Sequence, residues 1–157
     1  MRIPTQQPSD TGVWKESLTV AVETAVSHLD GNALTPPAGP KRFSAVDAKR
    51  LLALLSWSYA RELYSSAEIH IRLRNGRIAE LWDGGVPDVA DICCFRIENR
   101  RALQACLQVA LRFLAAKKSV FGIVSRINDG GIATEACRRI FAAIFIDNTE
   151  ATALATL

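Results

Sequence analysis

The stretch NRRALQACLQVALRFLAAK, residues 99–117, decides the fold class. Its apolar residues recur at i, i+3, i+4, i+7, i+8 and i+11, the spacing of one face of an α-helix. They are Leu103, Cys106, Leu107, Ala110, Leu111 and Leu114. The other side carries Arg101, Gln104, Gln108 and Arg112. The pattern therefore predicts a long amphipathic helix with one buried face.

A second apolar segment, residues 44–62, precedes this helix. Its apolar side chains cover most of the girth of a helix, and such a helix belongs at the centre of a bundle. Ser44 and Asp47 have the spacing of a weak capping box at its start.

Weaker signals place the remaining helices. Apolar periodicity predicts helices at about 16–29 and 133–146, Ser65 with Glu68 opens one at 66–74, and Asp88 caps one that reaches Glu98. The other assignments are loops or turns at 30–40, 75–76, 83–85 and 128–131, a short helical segment at 78–82, and a strand or helix continuation at 120–124.

These signals together predict an all-α protein, a compact bundle of six or seven helices. We expect a flexible arm at 1–15, a single helical domain at 16–147 and a tail at 148–157. The expected core residues share an inward position on these helices; they are Val22, Leu51, Leu55, Tyr59, Ile69, Phe95, Leu103, Leu107, Leu111 and Ile140.

Composition limits the class of protein. The chain has 157 residues, of which 49% are hydrophobic and 22% charged, so it can bury a core. It has no apolar run long enough to cross a bilayer and no apolar segment of a secretory signal, so we expect a cytoplasmic protein without a membrane partner. Between Lys41 and Lys118 lie 14 basic and 8 acidic side chains, which indicates either a polyanion-facing surface or a solvated one.

Residues suited to catalysis or metal binding do not group in the sequence. Four cysteines, at 93, 94, 106 and 137, form no Cys-x-x-Cys pair, and His28 and His70 lie at no zinc-like spacing from them. The sequence contains no phosphate-binding loop, no glycine fingerprint of a dinucleotide site and no nucleophile elbow. We therefore expect no metal, no cofactor and no enzymatic activity.

Five segments of the middle region occur in an order that is typical of one protein family. They are LLALLSWSYA at 51–60, YSSAEI at 64–69, GGVPD at 84–88, ICCFR at 92–96 and RRAL at 100–103. In this order residues 41–114 resemble the N-terminal domain of bacterial DDE-type insertion-sequence transposases. The resemblance covers about half of the chain. It implies a helical domain with a helix-turn-helix-like centre that binds transposon-end DNA or helps the transposase to assemble.

The resemblance and the basic centre together give a set of candidate DNA contacts. These are Arg72, Arg74, Arg77, Arg96, Asn99, Arg100 and Arg101. The implied partners are double-stranded DNA, a second copy of the chain or a full-length transposase, and DNA binding would place the protein at a bacterial nucleoid. The function expected first is that of a non-catalytic DNA-binding domain, regulatory or domesticated.

The sequence also departs from that family. Residues Val89, Ala90, Cys93 and Ile97 replace polar positions of the short helix, so a protein-interaction or oligomerisation module is the alternative. A truncated transposase relic is a third reading. The family's catalytic domain is absent from the 157 residues. Only Ile144–Thr149 loosely resembles the strand that bears its first catalytic Asp, with Asp147 at that place; a helix-terminal acid is the other interpretation.

Overall fold

A computed structural model describes residues 10–37, 43–76, 85–116 and 129–155. These ranges form α-helices and one short 3-10 helix, with no strand among them, which confirms the all-α prediction. The helices are α1 (Asp10–Ser27), α2 (Ala45–Ala60), α3 (Ser66–Arg74), α4 (Val89–Glu98), α5 (Arg100–Ala116) and α6 (Asp129–Ala155), with the 3-10 helix at Gly31–Ala33. None of the helices in the described ranges has the length and hydropathy needed to cross a membrane.

Helix α2 lies at the centre of the bundle, as its apolar girth predicts. Every residue from Leu51 to Ala60 is buried, and α2 packs against α1, α5 and α6. The buried hydroxyl of Ser56 donates to the carbonyl of Leu52 at 2.8 Å, so this polar group is satisfied inside the helix.

Helix α5 places its apolar face on α1, α2 and α6. All six residues of the predicted face are buried, and so are all ten residues of the expected core. Burial of a large aliphatic or aromatic side chain contributes roughly 1.5–3 kcal/mol, so this shared core is the main source of stability.

Two helices begin where the capping residues predict. The Ser44 hydroxyl accepts from the Asp47 amide at 3.2 Å and the Asp47 carboxylate accepts from the Ser44 amide at 3.0 Å, which completes the capping box. At α3 the Ser65 hydroxyl accepts from the Glu68 amide at 3.2 Å. The Glu68 carboxylate, however, accepts from Arg72 at 3.0 Å, one turn along the same helix.

Helix α4 begins after Asp88, as predicted, through a reciprocal capping box with Asp91 at 2.8 and 3.0 Å. Helix α3 ends at Arg74, and two residues later Gly76 has a φ of 70°, in the left-handed region that glycine adopts without strain. Helices α3 and α4 pack together. The helix-turn-helix-like centre stays a prediction, because most of the connection, residues 77–84, lies outside the described residues.

Two helices are longer than the sequence predicts, while the division into arm, domain and tail stays a prediction. Helix α1 begins at Asp10 and so includes residues 10–15, which lie in the predicted arm. Helix α6 includes Asp129–Gly131, predicted as a turn, and continues to Ala155 through most of the predicted tail. The glycines lie in the first turn of α6, where amides need no intrahelical acceptor. The segments at 78–82 and 120–124 lie outside the described residues.

Candidate functional site

A buried ion pair joins α4 to α6. The Arg96 guanidinium donates to Asp147 at 2.7 Å, and the two side chains are 4% and 6% exposed. The same nitrogen donates to the Tyr59 hydroxyl of α2 at 3.1 Å. Arg96 therefore connects three helices inside the protein rather than facing solvent. Its Nε atom is buried without a hydrogen-bond partner among the described residues.

Asp147 also fixes the start of α3. Its carboxylate accepts from the Ser66 amide at 2.9 Å and from the Ser66 hydroxyl at 2.6 Å, and the Cys93 thiol lies 3.5 Å away. A carboxylate at a helix N-terminus is favourable because unpaired amides and the helix dipole are positive there. One turn further on, Glu150 accepts from the Ser65 hydroxyl at 2.9 Å. These contacts hold the end of α6 against α3.

Burial and the ion pair set the protonation states of this cluster. Burial raises the pKa of the Cys93 thiol, although the charge of Arg96 opposes the shift, so the thiol stays protonated at neutral pH. Burial likewise raises the pKa of Tyr59 to about 12. Burial alone would lower the pKa of Arg96, but Tyr59 and Asp147 outweigh it and raise the pKa. The cluster thus contains the Arg96 guanidinium paired with the Asp147 carboxylate, together with the neutral side chains of Tyr59 and Cys93.

Asp147 corrects one interpretation. Ile144–Thr149 lies within α6 rather than in a strand, and Asp147 is eight residues from the end of that helix. Neither a strand-borne catalytic Asp nor a helix-terminal acid describes it. In the described ranges no group of three or more His, Cys, Asp or Glu side chains is arranged to hold a metal ion.

Two of the predicted DNA contacts are buried. Arg96 is occupied by Asp147 and Tyr59, and Asn99 is 5% exposed. The side-chain oxygen of Asn99 accepts from the Thr35 backbone amide at 2.7 Å, and its side-chain nitrogen donates to the Thr35 carbonyl at 2.7 Å. These bonds join the α4–α5 junction to the segment that follows the 3-10 helix. Neither side chain offers a donor to a DNA groove in this fold. The sequence contains a signal for this burial. Ile92, Phe95, Arg96 and Asn99 follow the spacing i, i+3, i+4 and i+7, so the two polar residues share a helix face with two apolar ones.

The remaining predicted contacts lie on two elements. Arg72 and Arg74 are in the last turn of α3, where Arg72 pairs with Glu68 and Arg74 is exposed. Arg100 and Arg101 open α5 and are both exposed. Arg77 lies outside the described residues.

The residues of the proposed interaction patch are mostly exposed. Val89 is 39% and Ile97 69% exposed, Ala90 is exposed, and Cys93 is half-buried against the ion pair. Only Cys93 of the four therefore turns inward, and the observation on which the interaction hypothesis depends is present.

Two further exposed apolar side chains are phenylalanines on α6, and the sequence analysis did not single them out. Phe141 is 56% and Phe145 71% exposed, and they are neighbours one turn apart. The Arg100 guanidinium lies 4.7 Å from the centre of the Phe141 ring, a cation–π contact. Ile97 is the exposed residue that follows Arg96, whose side chain contacts α6 at Asp147. We call Ile97, Phe141 and Phe145 the α4–α6 apolar surface.

A shallow, open depression lies beside Phe145 on the outer face of the same helix. It has a volume of about 430 Å³ and is lined by Phe145, Asn148, Thr149, Thr152 and Ala153. A helical signal could have found the phenylalanines. With Ala136, Ile140 and Ala143 facing the core, positions 141 and 145 fall on an adjacent face of the helix.

Comparison with models of protein families, with curated proteins and with solved structures found no match. The likeness to transposase N-terminal domains therefore rests on the five sequence segments alone.

Proposed function

We propose that this chain is a non-catalytic protein-interaction module whose contact surface is the α4–α6 apolar surface. The observation that carries the proposal is the exposure of Phe145 and Phe141, at 71% and 56%, side by side on one ordered helix. A phenylalanine side chain removes roughly 150–250 Å² from water when it is buried, so two in one patch favour a bound partner.

The composition of the surface supports the same conclusion. Aromatic residues and arginine are enriched in the energetically dominant centres of protein interfaces. Here Arg100 lies over Phe141, so the apolar patch carries an arginine already held in position. The burial of Arg96 and Asn99 also favours a protein partner over DNA, because neither side chain can then contact base edges.

Site-specific photo-crosslinking tests this proposal. A photoreactive amino acid replaces Phe145 in one variant and Val20, 60% exposed on α1, in a matched control. In cells that express the full chain, we expect a protein adduct from position 145 and none from position 20. Absence of an adduct at position 145, or equal adducts at both positions, would contradict the proposal.

DNA binding is a second candidate, and a specific observation favours it. Arg61 at the end of α2 has its pKa lowered first by burial and then by the nearby positive charge of Arg72. Arg61 and Arg72 therefore lie close enough to repel each other, although Glu68 pairs with Arg72. Arg74, Arg100 and Arg101 add exposed guanidinium groups, which suit phosphate contacts rather than base recognition.

Fluorescence anisotropy with a random-sequence duplex at low and physiological salt tests this candidate. If Arg100 and Arg101 contact phosphates, replacing both with Ala lowers the slope of log affinity against log salt by about 2. Arg112→Ala, at an exposed position on α5, is the matched control and leaves the slope unchanged. Failure to bind at low salt would remove DNA from consideration.

A further inference from the structure

We infer that a groove between α1 and α2 binds a small zwitterion with an aliphatic side chain, the chemistry of a free apolar amino acid. Its walls carry a carboxylate on α1 and an ammonium on α2, with an apolar floor between them. We call it the α1–α2 groove. It lies on different helices from the α4–α6 apolar surface, and its role is independent of the proposed function.

Two helix faces build the groove, which has a volume of about 280 Å³. The lining residues of each helix follow helical spacing, i and i+3 on α1 and i, i+3, i+4 and i+7 on α2, so each set shares one face. They are Glu23 and Val26 of α1 and Val46, Lys49, Arg50 and Ala53 of α2. The packing of α1 against α2 therefore positions both walls.

The floor of the groove is apolar. Val26 and Ala53 form it and are each 5% exposed. Val46 lines the same groove but is 58% exposed. An aliphatic group that lies on this floor would also cover Val46 and remove apolar surface from water, which is favourable. The floor therefore suits an apolar side chain rather than a polar one.

The two walls carry opposite charges that are not paired with each other. Glu23 is exposed and Lys49 is half-buried, and among the described residues neither side chain forms an ion pair. Arg50 lies 3.9 Å from the Asp47 carboxylate of its own helix. A ligand with a single charge would be repelled by one wall, whereas a zwitterion places its ammonium at Glu23 and its carboxylate at Lys49.

The 3-10 helix restricts the Lys49 side chain. A Cβ atom at Gly31 would lie 3.3 Å from the Cβ atom of Ala45 and 3.4 Å from the Cε atom of Lys49. The backbone of Gly31 and the aliphatic stem of Lys49 are therefore in close contact, so the stem has less freedom before a ligand binds. Less conformational entropy is then lost on binding, which is the benefit of a pre-organised site.

The volume of the groove limits the size of the ligand. Pockets for drug-sized molecules span roughly 300–1,000 Å³, so a groove of about 280 Å³ suits one amino acid rather than a peptide. Because the groove is open to solvent and its charged groups are partly hydrated, we expect a dissociation constant of roughly 1 mM.

Two-dimensional amide NMR of the full chain, titrated with L-leucine, tests the site, because it detects weak binding and also reports whether each variant is folded. We expect saturable shifts confined to the amides of residues 23–27 and 46–53. Leucinamide lacks the carboxylate and isocaproate lacks the ammonium, so each should bind about 2- to 5-fold more weakly, the effect of one exposed ion pair. Glycine, which lacks the side chain, should bind more weakly still.

Two charge-removing variants assign the ligand's charges to the two walls. Glu23→Gln should weaken the binding of L-leucine and leucinamide about 2- to 5-fold and should not weaken that of isocaproate. Lys49→Gln should weaken the binding of L-leucine and isocaproate and should not weaken that of leucinamide. Glu98→Gln, at an exposed position on α4, is the matched control and should change none of the three.

Saturable binding of L-leucine with this crossed pattern would support the site. The absence of a saturable shift at about 50 mM L-leucine, far above a millimolar constant, would overturn it. Equal affinity for L-leucine and isocaproate would overturn the zwitterion in favour of an anionic amphiphile, and binding that both variants leave unchanged would place the ligand elsewhere. The photo-crosslink at position 145 tests the proposed function separately, so the failure of one is distinguishable from the failure of the other.

Discussion

Replacement of Asp147 with Asn tests whether the buried ion pair holds the fold together. The carboxylate accepts from Arg96 at 2.7 Å, from the Ser66 hydroxyl at 2.6 Å and from the Ser66 amide at 2.9 Å. An amide has nearly the same shape but only one acceptor oxygen. Its NH2 group must therefore face either the guanidinium or the serine, and Arg96 remains charged and buried without its counter-ion.

The expected loss follows from that burial. Removing one partner of a buried ion pair costs about 3–5 kcal/mol, because the remaining charge is uncompensated. For a chain of this size each kcal/mol shifts the midpoint of thermal unfolding by roughly 2–4 °C, so we expect a decrease of roughly 6–20 °C.

Urea unfolding followed by circular dichroism measures this loss, with Glu68→Gln as the matched control. The Glu68–Arg72 pair is also short, at 3.0 Å, but its side chains are 45% and 37% exposed. Exposed pairs contribute at most about 1 kcal/mol. If Asp147→Asn destabilises the protein no more than Glu68→Gln does, the ion pair does not hold α4, α3 and α6 together.

Three further substitutions probe other buried polar groups. Because burial raises the pKa of Tyr59 from 10.0 to about 12, the neutral phenol stabilises the fold below pH 10, and that stabilisation is lost as the pH rises through 12. The free energy of unfolding in urea should therefore decrease over this range, and Tyr59→Phe should flatten the decrease. Arg139→Met removes two 3.0 Å hydrogen bonds to the carbonyls of Tyr59 and Ala60 and should cost about 3 kcal/mol by the same assay. Asn99→Ala leaves the Thr35 backbone unpaired and should lower the thermal midpoint, whereas an unchanged midpoint would show that the α4–α5 junction does not depend on it.

The elements that the sequence predicts correctly depend on local signals. Ser44, Ser65 and Asp88 cap helices through groups three residues away, and the face of α5 repeats within one helix. Such patterns are visible in a short window because the interacting groups are near neighbours along the chain. The core of ten residues follows from the same periodicity.

The elements that the sequence mispredicts depend on distant partners. Arg96 and Asp147 are 51 residues apart, and Asn99 and Thr35 are 64 apart. An arginine in a basic segment is usually at the surface, so only the fold reveals that Arg96 has a buried counter-ion. Glu150, in the predicted tail, likewise accepts from Ser65, which is 85 residues away, so a distant partner holds this part of α6.

The buried ion pair lies on the face of α6 that also buries Ile140 and Ala143, and these residues together determine which face meets the solvent. Asp147 follows Phe145 by two residues, about 200° around the helix, so Phe145 points outward when Asp147 contacts Arg96. Rotating α6 to bury Phe145 would gain roughly 1.5–3 kcal/mol, whereas breaking the ion pair would cost about 3–5 kcal/mol. The ion pair therefore prevails, and the phenylalanines stay exposed although the helix carries them at its centre. A partner that covers them gains their burial without disturbing Asp147.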